Sequence, residues 1–197
     1  MIEIELKSIV TDLEGLRKSL TQSGATLSFE GELEDRRYDT AERRLLERDE
    51  VLRLRVYRDA RGARAQLDWK GPTSYVNGYK RREELSTSLD DADALTTMLD
   101  RLGYEVTMEI DRHIWQYEIG GATVRLERYP RMDDLVEVEG EPEEIERAIG
   151  ILGLPRDGFN TDRLPDFVRR FEERTGERAL ISDADVAGES TYDHSNA

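Results

Sequence analysis

The chain has 197 residues with 44 acidic against 29 basic side chains, giving a formal net charge of −15 and a pI near 4.7. That length can bury a real core, and the mean hydropathy of −0.71 reflects charge rather than Gly or Pro, which excludes a wholly low-complexity chain. The acidic field repels phosphate backbones and argues against nonspecific nucleic-acid binding, and the lack of cysteine removes disulfides, thiolate nucleophiles and Cys-ligated zinc.

Residues 2–7 alternate Ile2, Ile4 and Leu6 with Glu3, Glu5 and Lys7, which predicts a strand. Thr11 and Glu14 form a candidate capping box for a helix carrying Leu13, Leu16 and Leu20 and ending at Gly24. Strands are expected at 34–40 and 51–58, then a turn around Gly62 and a returning strand that ends at Gly71-Pro72. Asn77-Gly78 leads into a strand at 79–87. Asp90 or Asp91 caps a helix over 91–102 with a Leu95, Leu99, Leu102 stripe. Three strands follow at 106–118, 122–129 and 134–139, the first two joined by Gly120-Gly121. Pro142 opens one amphipathic helix, and Leu164, Phe167, Val168 and Phe171 mark another over 163–174. Residues 1–175 read as a single domain, and 176–197 as a mobile tail.

One strand with a charged face is ordinarily the wet side of a half-buried sheet. Here the pattern recurs in nearly every strand: Glu3/Glu5/Lys7, Arg53/Arg55, Lys70, Lys80/Arg82/Glu84, Arg125/Glu127 and Glu137/Glu139. A curved or closed sheet would bring these faces into a common lumen. Burying so many ions without a ligand is costly, so the lumen is expected to be wet and made for a partner. Arginine forks and lysines match phosphate oxygens, and clustered carboxylates match hard divalent cations that bridge phosphates.

At these residues the chain resembles a known family. Glu3-Ile4-Glu5-Leu6-Lys7 fits the ExExK signature of the CYTH superfamily, the triphosphate tunnel metalloenzymes. Tyr38-Asp39-Thr40, Leu52-Arg53-Leu54-Arg55, Trp69-Lys70-Gly71-Pro72, Lys80-Arg81-Arg82-Glu83-Glu84 and Glu137-Val138-Glu139 follow in family order. The resemblance spans about 1–155 and is strongest to the class IV adenylyl cyclase branch. It implies an α+β fold: a closed or nearly closed eight-stranded antiparallel β-barrel with amphipathic helices outside. It implies triphosphate binding by Lys7, Arg53, Arg55, Lys70, Lys80, Arg82, Arg112 and Arg125. It further implies Mg²⁺ or Mn²⁺ held by Glu3, Glu5, Glu127, Glu137 and Glu139, with Lys7 and Glu5 as the catalytic pair. The chain departs from the pattern in three places: Arg37 stands where many relatives carry an aromatic, Ile110 or Asp111 where they carry a second base beside Arg112, and Pro130-Arg131-Met132-Asp133-Asp134 where they carry a Gly-Leu-Gly-like turn before the final acidic strand.

The expected function is metal-dependent conversion of ATP to cyclic AMP and pyrophosphate. The alternatives are hydrolysis of tripolyphosphate or thiamine triphosphate, and noncatalytic binding of a polyphosphate or nucleotide. The partner is a small-molecule triphosphate rather than a nucleic acid or a membrane, and a homodimer is compatible with this reading. No run of about 18 apolar residues offers a membrane span, and Glu3 interrupts any signal-peptide pattern, so a cytoplasmic location is expected.

Overall fold

Alternating apolar and charged side chains turn most of the chain into strands. The computed structural model describes residues 2–190. Its strands are β1 (Ile2–Val10), β2 (Thr26–Thr40), β3 (Val51–Asp59), β4 (Gly62–Lys70), β5 (Ser74–Val76), β6 (Tyr79–Leu89), β7 (Tyr104–Ile119), β8 (Ala122–Arg128) and β9 (Asp134–Glu139). Its helices are α1 (Leu13–Gln22), α2 (Arg44–Glu47), α3 (Ala92–Arg101), α4 (Pro142–Leu152), α5 (Leu164–Thr175) and α6 (Asp183–Ala187). The strands run antiparallel in the order β1-β9-β8-β7-β2-β3-β4-β6, and β1 also pairs with β6 through Glu3↔Arg82 and Glu5↔Lys80. That pairing closes eight strands into a barrel, as expected, so the fold is α+β around a closed antiparallel sheet. The short β5 is an extra strand that folds back on β6 through Asn77-Gly78, both at positive φ.

The outer face of β1, β7, β8 and β9 forms the main core beneath α1 and α4. Ile4, Leu6, Val124, Val136 and Val138 pack there against Leu13, Leu16, Leu20, Ile145 and Ile149. Burying a side chain of this size contributes about 1.5–3 kcal/mol, which fixes which face of each strand points outward. A second cluster joins Leu164, Phe167, Val168 and Phe171 of α5 to Met108, Ile110, Tyr129 and Leu135. Met108 and Ile110 share a β7 face with Arg112, so α5 packs over one end of the lumen. Phe29, Leu33, Tyr57 and Ile114 form a third cluster on strands β2, β3 and β7.

Several local expectations change. The α1 cap is Asp12, whose Oδ1 accepts from Gly15 N at 2.8 Å, in place of Thr11. β2 begins at Thr26 rather than 34, because pairing with β7 recruits a stretch whose own alternation is weak. Gly31 belongs to that stretch: a Cβ there would lie 2.1 Å from the Arg58 carbonyl oxygen, so only glycine admits the close approach of β3. Leu102 follows α3 and is 73% exposed, so the α3 stripe reduces to Leu95 and Leu99. The segment expected as a tail packs on the barrel as far as it is described. Leu180 bridges to Arg131, the Ile181 carbonyl accepts from Asp111 N at 2.8 Å, and Ala179 and Ile181 are fully buried. Two apolar side chains are too few to show a period, although they suffice to anchor the segment to the α5 cluster. Residues 191–197 of the expected tail lie outside the described residues. Among the described residues, no helix is long and apolar enough to cross a membrane.

Candidate functional site

With Ile4 and Leu6 held beneath the helices, Glu3, Glu5 and Lys7 face inward. Strand register then decides their neighbours. Lys7 lies opposite Glu137 and Glu5 opposite Glu139 on β9, while Arg125 of β8 lies opposite Glu137 from the other side. Across the barrel Arg53 faces Asp68, and Lys70 faces Glu84. The lumen is a cavity of about 890 Å³, counting space open to solvent, and its wall includes all eight bases expected from the sequence together with Glu3, Glu5, Glu127 and Glu137. Glu139 joins them on the same face of β9, two residues from Glu137.

Most of the acids and bases satisfy one another. Lys7 Nζ lies 2.7 Å from Glu137 Oε2, and Arg125 Nη1 donates to Glu137 Oε1 at 2.6 Å. Lys70 donates to Glu3 Oε1 at 2.6 Å, and Lys80 pairs with Glu5. Arg112 donates to Glu127 at 3.0 Å, and the Tyr129 hydroxyl donates to the same carboxylate at 2.7 Å. Arg82 lines the lumen, but its guanidinium donates to the carbonyls of Gly71 and Asp49, both at 2.6 Å.

Sequence reasoning did not assign several charged residues in and around the lumen, among them Asp35, Asp68 and Arg37. Asp35 is fully buried and accepts from Arg55 Nε at 2.8 Å and Arg112 Nη1 at 3.1 Å, with Arg53 Nη1 3.7 Å away. Asp68 accepts from Arg53 Nη2 at 2.7 Å and from the Ser86 hydroxyl at 2.7 Å. Arg37 lines the same cavity. Asp68 could have been found, since it alternates onto the face of Lys70. Asp35 and Arg37 alternate without a break on one face of β2, opposite Arg55 and Arg53, but Glu34 and Arg36 charge the other face as well, so parity alone does not say which face is inward. Asp39, in the Tyr38-Asp39-Thr40 motif, is architectural. Its carboxylate accepts from the backbone N–H groups of Thr40, Leu45 and Leu46 and so anchors α2.

The electrostatics follow from these contacts. Burial would raise the Asp35 pKa, yet Arg55, Arg53 and Arg112 hold it well below the usual carboxylate range. Burial likewise opposes ionisation of Glu137, and Lys7 with Arg125 overrides it, so Glu137 is also held well below. Burial would lower the Lys7 pKa, but Glu137 and Glu5 raise it, so Lys7 stays a cation and cannot serve as a general base near neutrality. Glu139 goes the other way. Burial, then the charges of Glu3 and Glu137, push its carboxyl up to about 7.

That crowding of carboxylates is what a divalent cation relieves, and an all-oxygen donor set suits Mg²⁺ or Mn²⁺. The donors on β1 and β9 therefore fit such an ion in chemistry. Among the described residues, no group of three or more His, Asp or Glu side chains is already gathered around one metal position, because lysines and arginines hold Glu3, Glu5, Glu127 and Glu137.

By its fold and lining, the molecule is a closed antiparallel barrel with an acid- and base-lined lumen. The chain belongs to the CYTH domain family, whose model matches residues 1–151. Solved structures share the fold. A conserved hypothetical protein from Pyrococcus furiosus is 21% identical with a TM-score of 0.69, over 84% of this chain and 99% of that one. A Vibrio parahaemolyticus protein provisionally named an adenylate cyclase is 19% identical with a TM-score of 0.75, over 86% and 98%. A Hippeastrum protein, provisionally named an adenylyl cyclase and described as having a dominant triphosphatase activity, is 16% identical with a TM-score of 0.59, over 89% and 96%. At these identities the likeness is one of fold. No curated protein matches the chain.

Proposed function

We propose that the protein is a divalent-metal-dependent enzyme acting on a triphosphate in the barrel lumen, and that its reaction is cyclisation of ATP to cyclic AMP and pyrophosphate. The observation that supports this most is the convergence of bases from seven strands, with carboxylates between them, on one cavity. Lys7, Arg53, Arg55, Lys70, Lys80, Arg112 and Arg125 would bind phosphate oxygens, with Arg82 at the edge of the group. Substrate entry exchanges partners: phosphate oxygens draw the ammonium groups of Lys7, Lys70 and Lys80 away from Glu137, Glu3 and Glu5. The carboxylates so released, together with Glu139 and Glu127, would hold Mg²⁺ or Mn²⁺, which supplies Lewis-acid polarisation of the phosphoryl group. In the empty lumen Glu137 and Glu5 keep Lys7 protonated, and against phosphate oxygens its ammonium would balance their charge.

Cyclisation, with the ribose 3′-hydroxyl attacking the α-phosphorus, rests on the similarity of Trp69-Lys70-Gly71-Pro72 and Lys80-Arg81-Arg82-Glu83-Glu84 to the class IV cyclase branch. A second reading, hydrolysis at the terminal phosphorus, is favoured by the activity described for the Hippeastrum protein and uses the same phosphate clamp. The test is an assay of purified protein with Mg²⁺ or Mn²⁺, offered ATP, tripolyphosphate and thiamine triphosphate in parallel. Cyclic AMP with pyrophosphate supports cyclisation; orthophosphate from tripolyphosphate or thiamine triphosphate supports the second reading. Binding with no turnover of any of the three refutes both.

A further inference from the structure

Arg37 differs from the other lumen bases. Its neighbours on the barrel wall are Arg53 of β3 and Met108 of β7. Most of the remaining bases have a carboxylate in contact, and Arg82 has backbone carbonyls. The Arg37 side chain makes no hydrogen bond or ion pair among the described residues, and its Nε is buried without a partner. Asp35, two residues away on the same strand, is already committed to Arg55 and Arg112.

An arrangement of this kind is unfavourable in the empty protein. The guanidinium loses hydration at its buried Nε and has no carboxylate in contact, Asp35 acting on it only at a distance. Burial, and then the nearby charge of Arg53, lower the Arg37 pKa to about 10; Asp35 opposes this only in part, and Arg112 and Arg82 add to it. At neutral pH it nonetheless remains charged. A structural arginine would be expected to hold a wall together through fork contacts, and this one holds nothing. Its donors face a cavity that an anion can enter.

We infer that Arg37 is a substrate ligand, a guanidinium left without a counter-ion so that a phosphate oxygen of the bound polyphosphate completes it. This rests on the triphosphate reading above and adds to it a binding residue that the family motifs do not mark. It has a consequence that a structural role would not share. Replacing Arg37 with an uncharged side chain of similar length stabilises the empty protein, because a desolvated charge beside Arg53 is removed, while it weakens the complex.

The experiment compares wild type with Arg37→Met, and with Arg37→Gln as a second variant that keeps a polar end. Tm is measured without ligand and with inorganic tripolyphosphate, and Kd is measured by titration calorimetry with tripolyphosphate in Mg²⁺ buffer. The expected result is an unchanged or raised Tm without ligand, a smaller Tm increase on adding tripolyphosphate, and a Kd weaker by about tenfold or more. Arg44→Met, an exposed site on α2, leaves Kd unchanged. If wild type binds tripolyphosphate and both Arg37 variants bind it equally well, or if both lose Tm without ligand, the Arg37 inference is overturned while the triphosphate reading stands. If wild type itself binds no tripolyphosphate, the triphosphate reading fails and the Arg37 inference goes with it.

Discussion

Glu139 gives the sharpest link between the lumen and a measurable stability. Its pKa rises on folding from 4.5 to about 7, through burial and the charges of Glu3 and Glu137. A carboxyl whose pKa is raised binds its proton more tightly in the folded chain. The stability it contributes is therefore fully present below pH 4.5 and is lost as pH rises through 7. Moving a proton equilibrium from 4.5 to about 7 corresponds to roughly 3 kcal/mol. Glu139→Gln mimics the protonated form and lacks this dependence. In EDTA the variant should match wild type at pH 5 and exceed it at pH 8, with a Tm gain of roughly 6–12 °C for a domain of this size. Adding Mg²⁺ at pH 8 should raise the Tm of wild type more than that of the variant, because only the carboxylate gains from the cation. The assay is thermal unfolding followed by circular dichroism across pH 5–8. A Tm difference between the two proteins that stays constant with pH would refute the placement of Glu139 among uncompensated carboxylates.

Three other outcomes follow from the same packing. Asp35→Asn removes the shared counter-charge of Arg55, Arg53 and Arg112 and should cost about 3–5 kcal/mol in chemical denaturation, with part of the loss recovered on adding tripolyphosphate. Glu5→Ala should abolish turnover in the Mg²⁺ or Mn²⁺ assay yet leave tripolyphosphate binding in EDTA intact, since Lys80 loses its internal partner and stays available to phosphate; full turnover in this variant would remove Glu5 from the metal set. Deleting residues 177–197 takes Ala179 and Ile181 from the α5 cluster together with the Ile181–Asp111 backbone bond, so Tm should fall, whereas a dispensable tail would leave it unchanged.

Much of the barrel was legible in the chain because each strand carries its own two-residue alternation. Ile4 and Leu6 against Glu3, Glu5 and Lys7 mark an inside and an outside before any partner is known. Helix positions were legible for the same local reason, although the α1 cap moved by one residue, since Thr11 and Asp12 offer equivalent oxygens and only the backbone geometry chooses between them. The first half of β2 and the packing of residues 177–190 were not legible. Their few apolar side chains acquire meaning only from β7 and α5, which lie outside those segments and are met only on folding.

The candidate site divides along the same line. By itself the sequence determined that acids and bases would share one face of many strands, because alternation is a property of neighbouring residues. Only the tertiary structure decided which acid meets which base. Register across β1, β6, β8 and β9 sets Lys7 against Glu137 and Lys80 against Glu5, and it leaves Glu139 beside another carboxylate. Pairing of β2 with β3 and β7 gives Asp35 three arginines and Arg37 no carboxylate in contact. The reason is physical: Coulomb and desolvation energies depend on distance through space, and closure of the barrel, rather than spacing along the chain, fixes those distances.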